Sequence, residues 1–248
     1  MNELTNQMDN ELGYINALYN LPRVLDSIGA GSIKKQSKTR TALAGFLEKA
    51  SDISLPVNED NELRIYQSLG RLAEFVDSTD FAYERMLTII LLYETYHKLS
   101  DIYIKKYNQT WRRFRDDELT GTEATRIAHT YDQKANLMTK AMALMYGTAV
   151  ANLEPGIDDN TRYEAWKFLY NAADDFPEGA IVQQLEIYEK LKKLSKLEKH
   201  EKSQFFANKT VSYIETQQKK HPDKVGIARR TQMPGKDILV LPFQSGSR

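Results

Sequence analysis

The segment that decides the fold is residues 79–119, TDFAYERMLTIILLYETYHKLSDIYIKKYNQTWRRFRDDEL. It contains no Pro and no Gly, and its apolar residues recur at spacings of three, four or seven, as on one face of an α-helix. The stripe consists of Ala82, Met86, Ile89, Tyr93, Tyr96, Tyr103 and Tyr107. We therefore predict one helix, capped by Thr79 and Asp80 and running to about Leu119. About forty helical residues would span ~60 Å, which favours an elongated protein.

The segments before this helix carry the same periodicity. We predict helices over residues 2–19, from residue 37 or 39 to residue 50, and from an Asn58 N-cap to residue 76. Pro22 and the GAGS stretch at residues 29–32 are expected to interrupt the chain between the first two helices.

The segments after it are also helical in pattern. Thr120-Gly-Thr-Glu123 has the form of a capping box and should open a helix that reaches about residue 151. A shorter helix is predicted from Thr161 to about residue 174, and we expect it to bury Trp166, Leu169 and Tyr170. One last helix should start near Pro177 and continue past Phe205 to residue 218. With no strand expected within residues 1–220, the fold prediction is an all-α multi-helix bundle.

The composition excludes several classes of protein. The chain has 248 residues, with 41% hydrophobic and 27% charged residues, which are values of a globular protein with a substantial core. It has no Cys, which excludes a disulfide scaffold and Cys-ligated metal. The start, MNELTNQMDNELGY, has no signal-peptide pattern, and the apolar window MLTIILLY is far shorter than the ~20 residues that cross a bilayer. We expect a soluble intracellular, cytoplasmic or virion protein without membrane contact.

The charge is distributed unevenly although the net charge is zero. From Ile187 onward there are 14 Lys and Arg against 6 Asp and Glu, while the first 186 residues hold 20 basic and 28 acidic residues. This polarity favours head-to-tail self-association or a basic tail facing an acidic partner. Solvated faces of a single bundle explain it equally well.

Two segments have a faint likeness to catalytic or ligand motifs. Glu94-Thr-Tyr-His97 has the Glu-x-x-His spacing of di-iron bundles, but such a site needs a second pair, and His129 to Asp132 has the reverse order. A metal-dependent helical-bundle enzyme around Glu94 and His97 is therefore an alternative function. Residues 29–39, GAGSIKKQSKT, lack the Gly-Lys-Ser/Thr ending of a phosphate loop. We predict no catalytic residue, no cofactor and no bound metal.

Residues 111–115, WRRFR, interleave aromatic rings with arginines. Trp and Arg are enriched in protein–protein hot spots, so Trp111, Arg112 and Arg115 are candidate partner-binding residues. The same residues, with the basic C-terminal region, could clamp a nucleic acid strand, but the three acidic residues 116–118 would repel phosphates. The basic segment 190–202, KLKKLSKLEKHEK, is better explained as a packing helix than as a membrane-surface helix.

The end of the chain differs from the rest. Residues 219–235 are basic and interrupted by Pro and Gly, which is linker composition, and the apolar hexamer ILVLPF follows at residues 238–243. Such a β-prone segment must be covered. We predict a helical domain over residues 1–220 and a linker with an extended docking arm over residues 221–248. The arm could fold back on its own helices, but we expect it to contact another chain through backbone hydrogen bonds or an apolar groove, using Ile238, Leu239, Val240, Leu241 and Phe243.

These features together predict a non-enzymatic structural or adaptor subunit of a larger assembly, forming a homo-oligomer through its C-terminal arm. The organisation is similar to that of helical ring or adaptor proteins of tailed-phage head–tail connectors, which send extended C-terminal arms to the next ring. The similarity is one of architecture, and no motif carries it. A subunit of a secretion or conjugation apparatus would share the same organisation.

Overall fold

A computed structural model of the chain describes residues 11–29, 43–50, 55, 57–153, 156–174 and 185–220. These residues form α-helices and one short 3₁₀ turn, Ala172–Asp174, and contain no strand, which confirms the all-α prediction. The helices are α1 (Glu11–Gly29), α2 (residues 43–50), α3 (Glu59–Ser78), α4 (Ala82–Arg115), α5 (Gly121–Ala151), α6 (Asp159–Asn171), α7 (Leu185–Leu197) and α8 (Glu201–Lys220).

The chain divides into two compact units, residues 1–152 and 153–248. The described helices α1 to α5 belong to the first unit, and α6 to α8 belong to the second. The boundary adjoins the loop sequence LEPGIDDN at residues 153–160. The division into a domain over residues 1–220 and an arm over residues 221–248 stays a prediction, and the arm lies outside the described residues.

The first unit is built on an antiparallel pair, α4 and α5. Arg85 near the start of α4 donates a hydrogen bond to Asn152 just after α5 (3.2 Å), and the rings of Tyr103 and Tyr131 stack at 6.4 Å. The predicted stripe of α4 is buried from Met86 to Tyr103, with Tyr93 1%, Tyr96 4% and Tyr103 0% exposed, and its end residues Ala82 and Tyr107 are half-buried. Against it α5 presents small and flexible side chains, which let two long helices approach closely. They are Ala124, Ala128, Ala135, Met138, Ala141, Met142, Met145, Ala149 and Val150.

Both predicted ends of α4 are wrong by a few residues. Its N-cap is Phe81, which gives no side-chain cap, and the Thr79 hydroxyl instead accepts the Phe81 N–H outside the helix (3.3 Å). The helix ends at Arg115 and not near Leu119, because Asp117 adopts a left-handed φ of 58°. Glu118 N–H then reaches the Arg113 carbonyl at 2.9 Å, as in a Schellman C-cap, with Asp in the place usually taken by Gly. Consecutive acidic residues also oppose the dipole at a helix C-terminus.

The predicted caps of α3 and α5 are confirmed. The Thr120 hydroxyl accepts the Glu123 N–H at 3.3 Å, and the Glu123 carboxylate accepts the Thr120 N–H at 3.0 Å, which completes the capping box. Asn58 caps α3, because its side-chain oxygen accepts the Asn61 backbone N–H at 3.0 Å. The Asn61 side-chain oxygen in turn accepts the Asn58 backbone N–H at 2.9 Å. Helix α3 continues to Ser78, two residues beyond the prediction.

Pro22 does not interrupt α1, contrary to the sequence prediction. The helix runs through it to Gly29. Leu18, Leu21 and Leu25 are at most 2% exposed and lie on both sides of Pro22. Their burial offsets the one backbone hydrogen bond that Pro cannot donate. Residues 1–10 and the predicted start of α2 lie outside the described part.

The second unit corrects three further predictions. Helix α6 begins at Asp159 and not at Thr161, because the Asp158 carboxylate accepts the N–H groups of Asn160 and Thr161 at 3.1 Å each. Trp166 and Leu169 are buried as predicted, but Tyr170 is 36% exposed because its ring lies at the surface beside Phe206. The predicted last helix is two helices, α7 and α8, which are separated at residues 198–200.

A polar network joins α3, α4 and α5 inside the first unit. The Tyr103 hydroxyl donates to the Glu62 carboxylate, the Tyr66 hydroxyl lies 2.6 Å from Tyr103, and Lys134 Nζ donates to both Glu62 oxygens at 2.8 and 2.9 Å. Burial raises the pKa of Tyr66 to about 12. Burial also disfavours the Glu62 carboxylate, but hydrogen bonds from Lys134 and Tyr103 outweigh it, so the pKa of Glu62 is lowered.

We predict that Ile89→Asp destabilises the protein by about 3–5 kcal/mol, because Ile89 is 0% exposed and the substitution buries an unpaired charge. Ile104→Asp on the same helix is the matched control, since Ile104 is 47% exposed, and its effect should stay within about 0.5 kcal/mol. Urea unfolding followed by circular dichroism measures both. Equal midpoints for Ile89→Asp and the wild type would show that α4 is packed the other way round.

A second prediction concerns pH. Because the pKa of Glu62 is lowered in the folded state, its carboxylate stabilises the fold above the ordinary value of 4.5, and this contribution is lost as pH falls through the folded-state pKa. Glu62→Gln should therefore lower the free energy of unfolding near neutral pH and flatten its decline between about pH 6 and pH 3. Glu118→Gln, at an exposed ion pair, should keep the wild-type slope; a wild-type slope in Glu62→Gln would contradict the assignment.

Candidate partner-binding surfaces

The end of the α4–α5 hairpin carries an aromatic cluster. The Trp111 ring meets Tyr107 edge-on at 6.3 Å and Phe114 at 6.0 Å. Phe114 is 39% exposed, and its ring lies over Gly121 at the start of α5, where an added Cβ would be 3.7 Å from Phe114 Cε2. Residues 107, 111 and 114 are spaced four and three apart, so they continue the apolar stripe of α4 to its end.

Two arginines lie beside these rings and have no acidic partner among the residues that the structure describes. Arg113 Nε donates to Glu118 at 3.0 Å. For Arg112 and Arg115, no carboxylate of the described residues lies within salt-bridge distance. Arg112 and Arg115 line an open pocket of about 460 Å³ together with Asn108, Trp111 and Phe114. We call these five residues the hairpin-end surface.

The hairpin-end surface contains three of the sequence-predicted partner-binding residues, Trp111, Arg112 and Arg115. The structure brings them together through their spacing on one helix. The other five, Ile238, Leu239, Val240, Leu241 and Phe243, lie outside the described residues, as does most of the GAGSIKKQSKT segment.

A second surface, which sequence reasoning missed, lies on α6 and α8. The Phe206 ring lies 5.7 Å from Tyr163, 5.9 Å from Tyr170 and 5.3 Å from Phe205. Phe205 is 57% exposed. We call these four residues the α6–α8 aromatic surface. Two consecutive Phe residues in a helix could have indicated this surface in the sequence. Neighbouring side chains of a helix point about 100° apart, so one of the two rings tends to be left exposed.

Lysines flank the α6–α8 aromatic surface. Lys167 Nζ lies 6.0 Å from the Tyr163 ring centre and Lys209 Nζ lies 5.7 Å from that of Phe205, within cation–π distance. Among the described residues, no carboxylate lies within salt-bridge distance of either lysine. The surface therefore combines exposed rings with positive charge that is available to an acidic group.

Glu198 fixes α6 and α8 relative to each other. It is 5% exposed, and its carboxylate accepts the Trp166 indole N–H and the backbone N–H groups of Lys199 and His200, each at 3.0 Å. Arg162 Nη1 lies 3.5 Å away. A buried carboxylate that binds the backbone N–H groups of the two residues directly before α8 explains why one predicted helix is two.

Glu94 and His97, the residues of the metal-enzyme alternative, lie one turn apart on α4 and are both half-buried. In the part of the chain that the structure describes, no group of three or more His, Cys, Asp and Glu side chains is arranged to hold a metal ion. No described helix is both long and apolar enough to cross a membrane. The metal-enzyme alternative stays a hypothesis.

No protein-family model matches the chain, and no curated protein or solved structure is significantly similar to it. The hairpin-end surface and the α6–α8 aromatic surface both combine exposed aromatic rings with basic side chains that have no acidic partner among the described residues.

We predict that Trp166→Phe destabilises the protein by about 1–3 kcal/mol, because it removes a donor from the buried Glu198 carboxylate. Trp111→Phe, at the other Trp of the chain, which is half-buried, should change stability by less than about 0.5 kcal/mol. Denaturant unfolding measures both variants. If the two substitutions cost the same, the bond between Trp166 and Glu198 does not anchor α8.

Proposed function

We propose that this protein is a non-enzymatic structural or adaptor subunit of a larger assembly, and that it forms homo-oligomers through its C-terminal arm. The observation that carries the proposal is the exposed hairpin-end surface. The proposal needs two contacts on each chain, one at that surface and one through the arm, residues 221–248, which includes Ile238 to Phe243.

The hairpin-end surface supports this role because the apolar stripe of α4 continues beyond the point where a third helix covers it. Within residues 104–131, only Thr110, Ala124 and Ala128 are buried. All three are small, as expected at the seam between two helices. No described helix fully covers the apolar surface of Tyr107, Trp111 and Phe114. Exposed apolar surface of this kind is typical of an interaction site.

The residue types favour a protein partner over a nucleic acid. Trp and Arg, which are the residues most enriched in protein hot spots, stand together here. Exposed acidic residues at positions 116–118 adjoin the arginines, and Glu118 neutralises Arg113. A strand of phosphates would meet this negative charge, whereas a protein surface can place its own acidic and basic groups to match both signs.

The finer form of the proposal is a helical ring protein, such as one of a tailed-phage head–tail junction. It is supported only by the arrangement of a helical body followed by a linker and an apolar segment. The alternatives are a nucleic-acid-binding protein that uses residues 111–115 and the basic C-terminal region, and a metal-dependent enzyme at Glu94 and His97. Elemental analysis of the purified protein tests the latter.

The test is the native mass of the purified full chain by light scattering over a range of concentrations. We expect a mass that is a multiple of 28.6 kDa. Trp111→Ala/Phe114→Ala should shift association to at least tenfold higher concentration, since each ring contributes roughly 1.5 kcal/mol or more when buried. The melting temperature should remain close to that of the wild type.

Leu144→Ala is the matched control, because Leu144 is an exposed apolar residue of α5 outside the surface, 47% exposed. It should assemble like the wild type. A chain that stays monomeric and binds a polyanion with a steep salt dependence, lost in Arg112→Glu/Arg115→Glu, would replace the proposal with the nucleic-acid alternative.

A further inference from the structure

We propose that the α6–α8 aromatic surface is the receptor for residues 237–243 of a second copy of this chain. The inference rests on the proposed function, in which copies assemble through the C-terminal arm, and it names the site where the arm docks. The occupant is a segment of the same sequence that lies outside the described residues.

The surface has the exposed apolar area that a docking site requires. Phe205 is 57% exposed and Tyr170 is 36% exposed, and both are joined through Phe206 into one patch. The patch is held by a fixed framework, because Glu198 accepts hydrogen bonds from Trp166 of α6 and from the backbone N–H groups of Lys199 and His200, which directly precede α8. A preformed patch loses little conformational entropy when it binds a partner.

The dimensions of the surface and the segment agree. Tyr163 and Tyr170 are seven residues apart on α6, which corresponds to about 10.5 Å along the helix axis. In an extended chain, alternate side chains lie on one side at intervals of about 6.7 Å. Leu239, Leu241 and Phe243 would then cover about 13 Å, so the three side chains fit the length of the patch.

The charges agree as well. Asp237 lies two residues before Leu239 and therefore on the same side of an extended segment. Lys167 and Lys209 stand at the patch, and no carboxylate of the described residues lies within salt-bridge distance of them. Asp237 could therefore pair with one of these lysines while the alternating apolar side chains that follow it contact the aromatic rings.

The all-helical structure of the described residues favours docking of the arm through its side chains over addition of a strand to a sheet. The described residues contain no strand edge to which the arm could add a strand, and Pro242 could not donate a backbone hydrogen bond in such a ladder. Docking through side chains into the patch needs no edge. The 16 residues between Lys220 and Asp237 extend at most ~55 Å, which is enough to reach a neighbouring copy.

The experiment is complementation between two full-length variants. Phe205→Ala removes the receptor, with Lys209→Glu as a second receptor variant, and Leu239→Asp/Leu241→Asp removes the arm contact. Leu63→Ala is the matched control, because Leu63 is 52% exposed and lies on α3. Each variant is checked for folding by circular dichroism, and its mass is measured by light scattering, alone and in a 1:1 mixture.

We expect Phe205→Ala and the arm variant to need at least tenfold higher concentration to assemble and Lys209→Glu to weaken assembly by a smaller factor, while Leu63→Ala behaves like the wild type. A 1:1 mixture of a receptor variant with the arm variant should associate at a lower total concentration than either variant alone, because one intact arm meets one intact receptor.

Other outcomes overturn the inference in distinguishable ways. If Phe205→Ala and Lys209→Glu assemble normally while the arm variant does not, the receptor lies elsewhere and the proposed function stands. If both kinds of variant fail to assemble and their mixture associates no better than either variant alone, the arm binds its own chain. If the arm variant assembles like the wild type, or the wild type is monomeric, assembly through the arm itself is wrong.

Discussion

The constraint on which the first unit depends is the unbroken apolar stripe of α4. A helix of 34 residues must bury this stripe against something, and α5 supplies a partner of matching length whose alanines and methionines accept the tyrosine rings. Local hydrogen bonds then define the adjoining ends of the two helices. The Schellman turn at Asp117 ends α4, and the capping box of Thr120 and Glu123 begins α5. Because the stripe extends further than the helices that cover it, the same feature that builds the core also creates the exposed hairpin-end surface.

The second unit depends on a different interaction, the burial of one carboxylate. Glu198 is almost inaccessible, and its carboxyl group is tolerated there because an indole N–H, two backbone N–H groups and a guanidinium surround it. These contacts interrupt what would otherwise be one helix and turn α8 so that Phe206 meets Tyr163 and Tyr170. The geometry of the aromatic surface is therefore a consequence of an electrostatic requirement inside the unit.

Local patterns predicted much of the fold and little of the second surface. The periodicity of residues 82–115 and the Thr120–Glu123 box depend on residues within one or two turns, and both are visible in the sequence. The break at Glu198 depends on Trp166, which is 32 residues away, and no local rule contains it. Pro22 is the opposite case, since a strong local rule is overridden by the burial of the surrounding leucines. Trp111, Arg112 and Arg115 could be identified because one helix holds all three, whereas the α6–α8 surface exists only after two helices pack.

The energetics of an arm contact indicate why each chain would need more than one binding surface. Burying three side chains such as Leu239, Leu241 and Phe243 contributes roughly 5–9 kcal/mol, while ordering seven backbone residues costs roughly 7–14 kcal/mol. The cost is as large as the gain or larger, so a single arm would bind weakly at best, and ion pairs at exposed lysines add little. Two contacts within a closed assembly would change this balance, because the second contact would form at a high effective concentration. In the proposed assembly, the arm contact would therefore be reversible by itself, and closure through the hairpin-end surface would make the assembly stable.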